Sequence, residues 1–318
     1  MEESKIPLIA IVGPTASGKT SLAVEICKHY GAEAVSCDSM QIYKGMDIAT
    51  AKPTAEEMQG VPHHLIGFLN PDEVFSVAKY CETAKDIIFD IDSRGKKAVL
   101  VGGTGLYYSS LVDNIEFLQE ETDFEYREML KKRAETEGAQ ALLDELCKID
   151  PESASQLHVN NLGRIIRALE IHHSTGKTKT DQNEESRKTP SPFVTTAICL
   201  DARNRQFLYD RINKRVDIML ENGLLEEAKA FFESPLGRTA RQAIGYKELN
   251  PYFNGEKSLE ECIENLKMQT RRYAKRQLTW FRRDEKIKFI YIDDYSSGEE
   301  LVDAACEIIE RGVADDEN

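Results

Sequence analysis

The segment from residue 13 to residue 20 carries the clearest chemistry in the sequence. It matches the pattern G-x-x-x-x-G-K-[ST] in full and lies between an apolar run and a helical pattern. Glycines let the backbone wrap around an anion, the helix N-terminus adds positive potential, and the lysine supplies a charge. The final threonine can hold Mg²⁺ bound to the same phosphates. The segment therefore predicts a site for a di- or triphosphate, built from Gly13, Pro14, Thr15, Ala16, Ser17, Gly18, Lys19 and Thr20.

Asp38 is the next residue whose side chain could take part in a reaction or bind a ligand. It follows the apolar run Ala34–Cys37, which we predict to be a strand. In P-loop NTPases a second strand usually ends in an Asp that binds Mg²⁺. Asp38 is compatible with that role, with a base acting on a second substrate, or with capping of the following turn. The pattern alone leaves these three roles open.

A glycine-rich segment, Gly102-Gly103-Thr104-Gly105, follows another predicted strand and contains no carboxylate. Glycine at a strand end indicates close approach of the backbone to a ligand or to a neighbouring element. A tight turn is equally compatible with the pattern.

Residues 268–288 form a basic segment with eight Lys or Arg and two acids. Between Thr270 and Arg283 the pattern is helical, and Tyr273, Gln277, Trp280 and Phe281 share one largely apolar face. The arginines lie on other faces. This pattern is typical either of a stripe that follows RNA phosphates or of a core-packed helix with a solvated basic face.

Strands and helices alternate along much of the chain, which indicates a parallel sheet covered on both faces. A helical pattern without strands runs from about 123 to 175, and the polar stretch Ser174–Pro192 is interpreted as a mobile loop. A terminal helix is expected up to about Arg311. We predict an α/β fold: a P-loop parallel sheet flanked by helices (1–115 and 193–318), with a helical insertion domain (116–192). The predicted strands are Leu8–Val12, Ala34–Cys37, Ala98–Val101, Thr196–Leu200 and Ile287–Ile292.

Composition narrows the class of protein. The chain has 318 residues and a net charge of −14, which by itself argues against binding nucleic acid. Ten acids and one arginine lie in residues 293–318, however, so that much of the excess is local. No apolar run is long enough to span a membrane, and neither a signal nor a transit peptide is evident. Seven widely spaced cysteines favour free thiols, and we expect a cytoplasmic protein.

The P-loop together with several longer motifs resembles the tRNA dimethylallyltransferases. The most specific is the run from Asp38 to Pro53, DSMQIYKGMDIATAKP. The same family is matched by PHHL at 62–65, VGGTGLY at 101–107, RQAIGY at 241–246 and TRRYAKRQLTW at 270–280. The resemblance covers the chain from about 6 to 285, in the right order.

The resemblance implies transfer of a dimethylallyl group from dimethylallyl diphosphate to N6 of an adenosine in tRNA. The adenosine would lie beside the anticodon on its 3′ side, in tRNAs reading codons that begin with U. It also implies Mg²⁺ as cofactor, Asp38 as general base, and Lys19 and Thr20 as groups that stabilise the leaving diphosphate. The helical insertion would bind the anticodon stem-loop. No membrane association is expected, and we expect a monomer.

The resemblance further implies roles for individual residues. Arg215, which shares a predicted helix face with Arg211, would help to hold the diphosphate. Gly163 stands where the family usually has Gln, so that one base contact and the preference for loop sequence are put in doubt. The residues implied to bind tRNA are Asp38, Ser39, Met40, Gln41, Thr104, Arg127, Gly163, Arg164, Arg167, Arg241, Gln242 and Gly245.

Three other functions fit part of the pattern. A small-molecule kinase or a nucleotide-dependent switch would use the P-loop with ATP. A prenyltransferase acting on free AMP or ATP would need neither the helical insertion nor the basic helix, so their presence favours tRNA.

Overall fold

A computed structural model describes residues 5–117, 123–186, 188–234 and 240–316. The chain divides into two compact units. The first, called the core here, contains residues 1–112 and 192–318, and the second, the insertion, contains residues 113–191. The sequence placed these divisions at 115/116 and 192/193.

The described strands of the core form one sheet in which all neighbouring strands are parallel. Its order is β3-β2-β4-β1-β5-β6, so that the strand leading to the P-loop lies inside the sheet. All five predicted strands are present, and the sixth, β3, was missed because it is two residues long and polar. The strands are β1 (Ile6–Val12), β2 (Glu33–Ser36), β3 (His63–His64), β4 (Ala98–Gly102), β5 (Phe193–Asp201) and β6 (Lys288–Tyr291).

Helices cover both faces of this sheet, as the alternating pattern predicts. One face packs against α1 and the C-terminal helix through a continuous apolar cluster that includes Ile9, Leu22, Val99 and Ile309. On the other face, the Tyr80 hydroxyl donates to the Ser36 carbonyl at 3.1 Å. The core helices are α1 (Lys19–Tyr30), α2 (Ala55–Met58), α3 (Val77–Ser93), α4 (Gly105–Val112), α10 (Arg205–Glu221), α11 (Leu224–Glu233), α12 (Asn250–Phe253), α13 (Leu259–Phe281) and α14 (Gly298–Asp316).

Two core helices near the C-terminus were only partly predicted. The basic segment forms the end of α13, which begins much earlier because Ser258 and Glu261 make a reciprocal capping box. The last helix, α14, runs to Asp316, beyond the expected end near Arg311. None of the helices in the described ranges is long and apolar enough to cross a membrane.

The insertion is helical and has a core of its own. Leu130, Leu142, Leu146, Ile165 and Leu169 form its buried centre. Its described helices are α5 (Phe124–Glu137), α6 (Ala139–Ile149), α7 (Pro151–Ser155), α8 (Leu162–Thr175) and α9 (Lys179–Ser186).

The expectation of a mobile loop over Ser174–Pro192 is wrong for most of its length. Helix α9 occupies the middle of this stretch. Thr178 and Asp181 cap each other at its start, at 2.9 and 3.0 Å, and the Thr180 hydroxyl donates to buried Asp150 at 2.6 Å. Because α9 has almost no apolar face, hydrophobic periodicity gives no signal for it.

Candidate active site

The P-loop joins β1 to α1 in a conformation that only glycine allows at two positions. Gly13 has φ 138°, and a Cβ there would lie 2.6 Å from the Leu200 carbonyl oxygen on β5. Gly18, with φ 95°, caps the start of α1 in the left-handed region. The loop can therefore pass close to the sheet and turn its amides towards the start of α1.

Two side chains of the loop donate to the same backbone oxygen. The Ser17 hydroxyl lies 2.9 Å and the Lys19 ammonium 2.5 Å from the Pro14 carbonyl oxygen. The lysine is thereby held against the loop that would surround a phosphate.

Helix α10 brings two arginines to the P-loop. Arg211 Nε donates to the Ala16 carbonyl at 2.8 Å, and an Arg215 terminal nitrogen lies 3.4 Å from the Thr15 hydroxyl. They do share one helix face, as their spacing predicts. The structure thus places Arg215 beside the predicted phosphate site.

The cations of this site are half-buried and lie close together. Burial and the neighbouring Arg215 lower the pKa of Lys19 to about 8, although the Asp38 carboxylate acts in the opposite direction. Burial also lowers the pKa of Arg215. Since burial disfavours both charges, an anionic ligand between them would be stabilised strongly.

Asp38 lies at the end of β2, where the chain turns. Its Oδ1 accepts hydrogen bonds from the backbone N–H groups of Met40 at 2.8 Å and Gln41 at 3.3 Å. Asp38 therefore caps the turn that follows it, which is one of the three roles that its position in the sequence allows. Among the hydrogen bonds of the described ranges none involves Oδ2, so one oxygen fixes the orientation while the other is available for chemistry.

The glycines at and just after the end of β4 make room for neighbouring protein elements. A Cβ on Gly102 would lie 2.2 Å from the Cys37 carbonyl oxygen, and one on Gly105 would lie 2.3 Å from the Trp280 ring. Of the alternatives left open by the sequence, close approach to a neighbouring element accounts for these two glycines.

Thr104 connects this glycine-rich segment to the turn after β2. Its hydroxyl oxygen accepts from the Ser39 N–H at 3.0 Å and is 3.3 Å from the Ser39 hydroxyl. The Tyr273 hydroxyl of α13 also hydrogen-bonds Thr104, and burial, followed by nearby Asp38, raises the pKa of Tyr273. The tyrosine therefore remains protonated beside Asp38.

Gln277 is the polar residue on the otherwise apolar face of α13, and its side chain hydrogen-bonds two elements of the site. Its Oε1 accepts from the Thr15 N–H at 2.9 Å, and its Nε2 donates to the Gly103 carbonyl at 2.8 Å. A Cβ on Gly103 would meet this Nε2 at 2.1 Å. One buried amide thus joins the P-loop to the end of β4.

Four other residues of the basic segment show which side chains pack within the protein and which remain available to a ligand. Arg282 pairs with buried Asp201 at 2.6 Å, and Arg271 donates to Asn213 at 2.6 Å. Trp280 donates to Ser109 at 2.8 Å, as a core residue would. Arg276, in contrast, lines a cavity.

The loop after Asp38 is held by a carboxylate that the sequence pattern did not indicate. Glu227 of α11 accepts from the Tyr246 hydroxyl at 2.8 Å. The same carboxylate accepts, at 2.8–2.9 Å, from three consecutive N–H groups, those of Asp47, Ile48 and Ala49.

Two predicted site residues support the same loop. The Gln41 amide donates to the Thr50 carbonyl at 3.2 Å and the Ala51 carbonyl at 3.1 Å. Gly245 has φ 115°, and a Cβ there would lie 2.8 Å from the Ala49 Cβ. Gln41 and Gly245 therefore shape the site as well as line it.

These elements enclose a cavity of about 280 Å³. It is cationic where Lys19 and Arg215 lie, and Asp38 also lines it. Ile66, Val216, Met219 and Leu266 are among the apolar residues of its wall. The predicted site residues that line it are Thr15, Lys19, Thr20, Asp38, Ser39, Met40, Gln41, Arg215, Gln242 and Gly245.

The remaining predicted residues of the core lie around the cavity. Gly13, Pro14, Ala16, Ser17 and Gly18 build the P-loop itself, and Thr104 hydrogen-bonds Ser39. Arg241 is exposed in a 3₁₀ turn whose last residue is the cavity-lining Gln242.

Among the described residues that line the cavity, Asp38 is the one carboxylate that a metal could use. Thr20 and Asp38 line the same cavity, whereas no group of three His, Cys, Asp or Glu able to hold a metal occurs in the described ranges. Mg²⁺ prefers oxygen, retains several waters and is commonly held by one or two protein ligands plus phosphates. The residues present fit a Mg²⁺ ion carried mainly by a diphosphate.

In the insertion, the predicted tRNA residue Arg127 is engaged by a buried carboxylate. Its guanidinium donates to Glu170 through two nitrogens, at 2.9 and 2.8 Å, and Arg167 donates to the same carboxylate at 2.8 Å. Glu170 is 1% exposed, and its pKa is lowered by these arginines against the effect of burial. Arg127 therefore joins α5 to α8.

The start of α8 is exposed and positively charged. Arg164 and Gly163 are exposed there, and a Cβ on Gly163 would meet nothing within 4 Å. Burial, together with Arg164 and Arg167, lowers the pKa of Lys179 at the start of α9. These residues place several cations close together on the insertion.

Comparison with known proteins agrees with this arrangement. The family model for IPP transferase matches residues 41–284. The chain belongs to the IPP transferase family.

Relatives in the IPP transferase family are similar over nearly the whole chain. A tRNA dimethylallyltransferase of Caldanaerobacter subterraneus subsp. tengcongensis is 50% identical over 300 residues, covering 93% of this chain and 95% of that protein. A tRNA dimethylallyltransferase of Bacillus subtilis is 47% identical over 289 residues, covering 90% of this chain and 91% of that protein.

Solved structures of the same kind also match. The tRNA isopentenylpyrophosphate transferase of Bacillus halodurans is 43% identical and superposes with a TM-score of 0.72, over 99% of this chain and 100% of that one. A eukaryotic dimethylallyltransferase acting on tRNA is 29% identical, with a TM-score of 0.79, over 96% of this chain and 80% of that one.

The IPP transferase match begins after the P-loop and Asp38. The match covers the insertion and part of the cavity wall, and the phosphate site rests on its own geometry. The sequence patterns indicated neither the role of Glu227 nor that of Gln277 in joining the P-loop to β4. They also did not place Ser36 and His63 in the cavity wall. A polar residue on an apolar helix face was the available signal for Gln277, and no local signal exists for Glu227.

Proposed function

We propose that the protein transfers the dimethylallyl group of dimethylallyl diphosphate to N6 of the adenosine next to the anticodon, on its 3′ side, in tRNAs reading codons that begin with U. Family membership supports a prenyl-transferring enzyme that acts on tRNA. The observation that carries the finer proposal is the cavity: half-buried cations, apolar walls and the Asp38 carboxylate line one space.

The substrate's two parts match the two kinds of wall. The diphosphate would lie against the P-loop amides, Lys19 and Arg215, because these are the positive groups beside the P-loop. The five-carbon tail would lie against apolar residues such as Val216, Met219 and Leu266. Burying such a tail is favourable by about 25 cal/mol per Å² of apolar surface.

The chemical step forms one bond and breaks one. The N6 lone pair forms a bond to the allylic carbon, and the carbon–oxygen bond to diphosphate breaks with its electron pair on oxygen. Lys19, Arg215 and the loop amides stabilise the charge that develops on the leaving group. Asp38 takes the proton from N6. The two N–H groups on its Oδ1 hold the carboxylate in place for this transfer.

We propose that Mg²⁺ accompanies the diphosphate, with Thr20 as its protein ligand. When bound, it would neutralise part of the charge on the leaving diphosphate. The Thr20 hydroxyl and the scarcity of carboxylates in the cavity support this role.

We propose that the cations of the insertion bind the tRNA. Arg127, Arg164, Arg167 and the surface beside Gly163 would contact the anticodon stem-loop. Ser39, Met40, Gln41, Thr104, Arg241, Gln242 and Gly245 would surround the target nucleotide. A loop base leaves its stack at a cost of a few kcal/mol, less than a paired base. We expect the enzyme to act as a cytoplasmic monomer.

Label transfer tests the proposal directly. The protein is mixed with Mg²⁺, radiolabelled dimethylallyl diphosphate and unmodified tRNA, and the labelled nucleoside is identified after digestion. Label on N6 of the adenosine beside the anticodon is expected, and a tRNA carrying guanosine at that position is the control. Label on free AMP or ATP instead, or turnover of ATP alone, would contradict the proposal.

A further inference from the structure

Two polar atoms in the cavity wall have no partner. Ser36 is 2% exposed, and neither its Oγ nor the buried Nε2 of His63 makes a hydrogen bond within the described ranges. Both residues line the cavity, and neither belongs to the phosphate or tRNA site described above. An unsatisfied buried polar group destabilises the free protein, and a ligand that hydrogen-bonds it offsets that cost.

The sheet places these two residues on one side of the cavity. Ala34 packs with α1 in the apolar cluster, and Ser36, two residues further along β2, points to the same face. His63 is in register with Ala34 and therefore shares that face. Helix α1 begins above this face with Lys19 and Thr20.

The chemistry of His63 limits what can occupy the space. Its Nδ1 lies 2.8 Å from the Val61 carbonyl oxygen, so that Nδ1 carries the hydrogen and Nε2 is an acceptor. Burial lowers the pKa of His63, which keeps the ring neutral. A prenyl diphosphate offers acceptor oxygens and hydrocarbon only. The partner of Nε2 must instead donate an O–H or N–H.

We propose that Ser36 Oγ and His63 Nε2 hydrogen-bond the water ligands of the cation that accompanies the diphosphate. This inference rests on the proposed function. Mg²⁺ keeps several waters when it binds phosphates, and each of these waters has hydrogens to donate. Thr20, which would be the protein ligand, lines the same cavity, and Ser36 and His63 would supply acceptors for those waters. Ser36 and His63 are thus positioning residues for the metal.

Binding of inorganic pyrophosphate, measured by titration calorimetry with EDTA and with Mg²⁺, tests this inference without turnover. In wild-type protein, Mg²⁺ is expected to raise the affinity. Ser36→Ala and His63→Ala should each reduce that Mg²⁺-dependent gain by about tenfold, the usual effect of removing a group that hydrogen-bonds a metal's ligands. The affinity in EDTA should stay unchanged.

Thr195→Val is the matched control, because Thr195 on β5 also has a buried unpartnered hydroxyl but does not line the cavity. It should leave both affinities unchanged. Equal losses with and without Mg²⁺ would assign the two residues to the diphosphate itself, and no loss in either condition would assign them to another ligand; both results overturn the inference. Wild-type label transfer to tRNA tests the proposed function separately. Ser36→Ala removes a single oxygen, so its result stands if the histidine variant unfolds.

Discussion

The cavity and the insertion hold their cations in opposite ways. Lys19 and Arg215 are half-buried in the cavity wall, and within the described part of the chain no ion pair joins either to a carboxylate. In the insertion, Arg127 and Arg167 share the buried carboxylate of Glu170.

This difference distinguishes the cations that bind a ligand from the cations that stabilise the fold. A buried cation without an anionic partner is disfavoured in the free protein and gains most when an anion arrives. An arginine held by a buried carboxylate already has its partner, so that removing it exposes that carboxylate to the full cost of burial. Variants of the two regions should therefore affect different measurements.

Asp38→Asn should have the largest effect, and on turnover alone. The amide oxygen can still accept from Met40 and Gln41, but the group no longer takes a proton. The single-turnover rate of label transfer should fall by about 10²- to 10⁴-fold, while tRNA and dimethylallyl diphosphate still bind. Near-normal turnover with weakened metal binding would show that Asp38 is not the base.

Arg215→Ala should weaken binding of dimethylallyl diphosphate by about 10- to 100-fold, the range for a charged hydrogen bond. Its thermal midpoint should not fall, because the arginine has no carboxylate partner to leave behind. Calorimetry and a melting curve give the two values. Arg205→Ala, an exposed arginine at the start of the same helix, is the control and should change neither.

Binding of dimethylallyl diphosphate should also depend on pH through Lys19. Its pKa of about 8 in the free protein means that the ammonium form predominates below pH 8 and is lost above it. Affinity should be constant below that pH and fall by up to about tenfold per unit above it. Lys19→Arg remains charged and should remove the dependence. A slope that survives in this variant would assign the titration to another group.

Arg127→Ala should destabilise the insertion by about 1–3 kcal/mol, because Glu170 loses two of its hydrogen bonds. Binding of tRNA should weaken, while binding of dimethylallyl diphosphate should not change. Denaturant unfolding and filter binding provide the measurements, with exposed Lys132→Ala on the same helix as control. Unchanged tRNA affinity would leave Arg127 with a structural role alone.

Local signals predicted the parts of the molecule that depend on local physics. The P-loop, the strand before it and the helix after it are determined by glycines, by apolar runs and by the residues at the helix start. All of these are neighbours in the sequence, so that a local pattern is enough to predict them. The sheet followed from apolar runs, except for β3, which is held by its neighbours: His64 lies 2.8 Å from the Glu33 carboxylate of β2.

The parts that were missed depend on distant residues. Glu227 holds the loop after Asp38 from about 180 positions away, and Gln277 reaches the P-loop across 262. The sequence predicts Arg127 as a tRNA contact, whereas its pairing with Glu170 depends on the packing of α5 against α8. No pattern in a single sequence records such contacts, because spacing describes only near neighbours.

Gly163→Gln should have the smallest effect on stability and on turnover. It separates a role of this position in the stability of the insertion from a role in reading the anticodon loop. Gly163 lies in the first turn of α8, and a side chain there meets nothing within 4 Å. Replacing a helical glycine should raise the free energy of unfolding by up to about 1 kcal/mol. Gly163→Ala gives the same gain without an amide, so it separates helix stability from base contact. If Gln at this position contacts the anticodon loop, only Gly163→Gln should sharpen the preference between tRNAs of different loop sequence, measured as the ratio of their label-transfer rates. Equal ratios in the two variants would show that this position affects the stability of α8 without reading the loop.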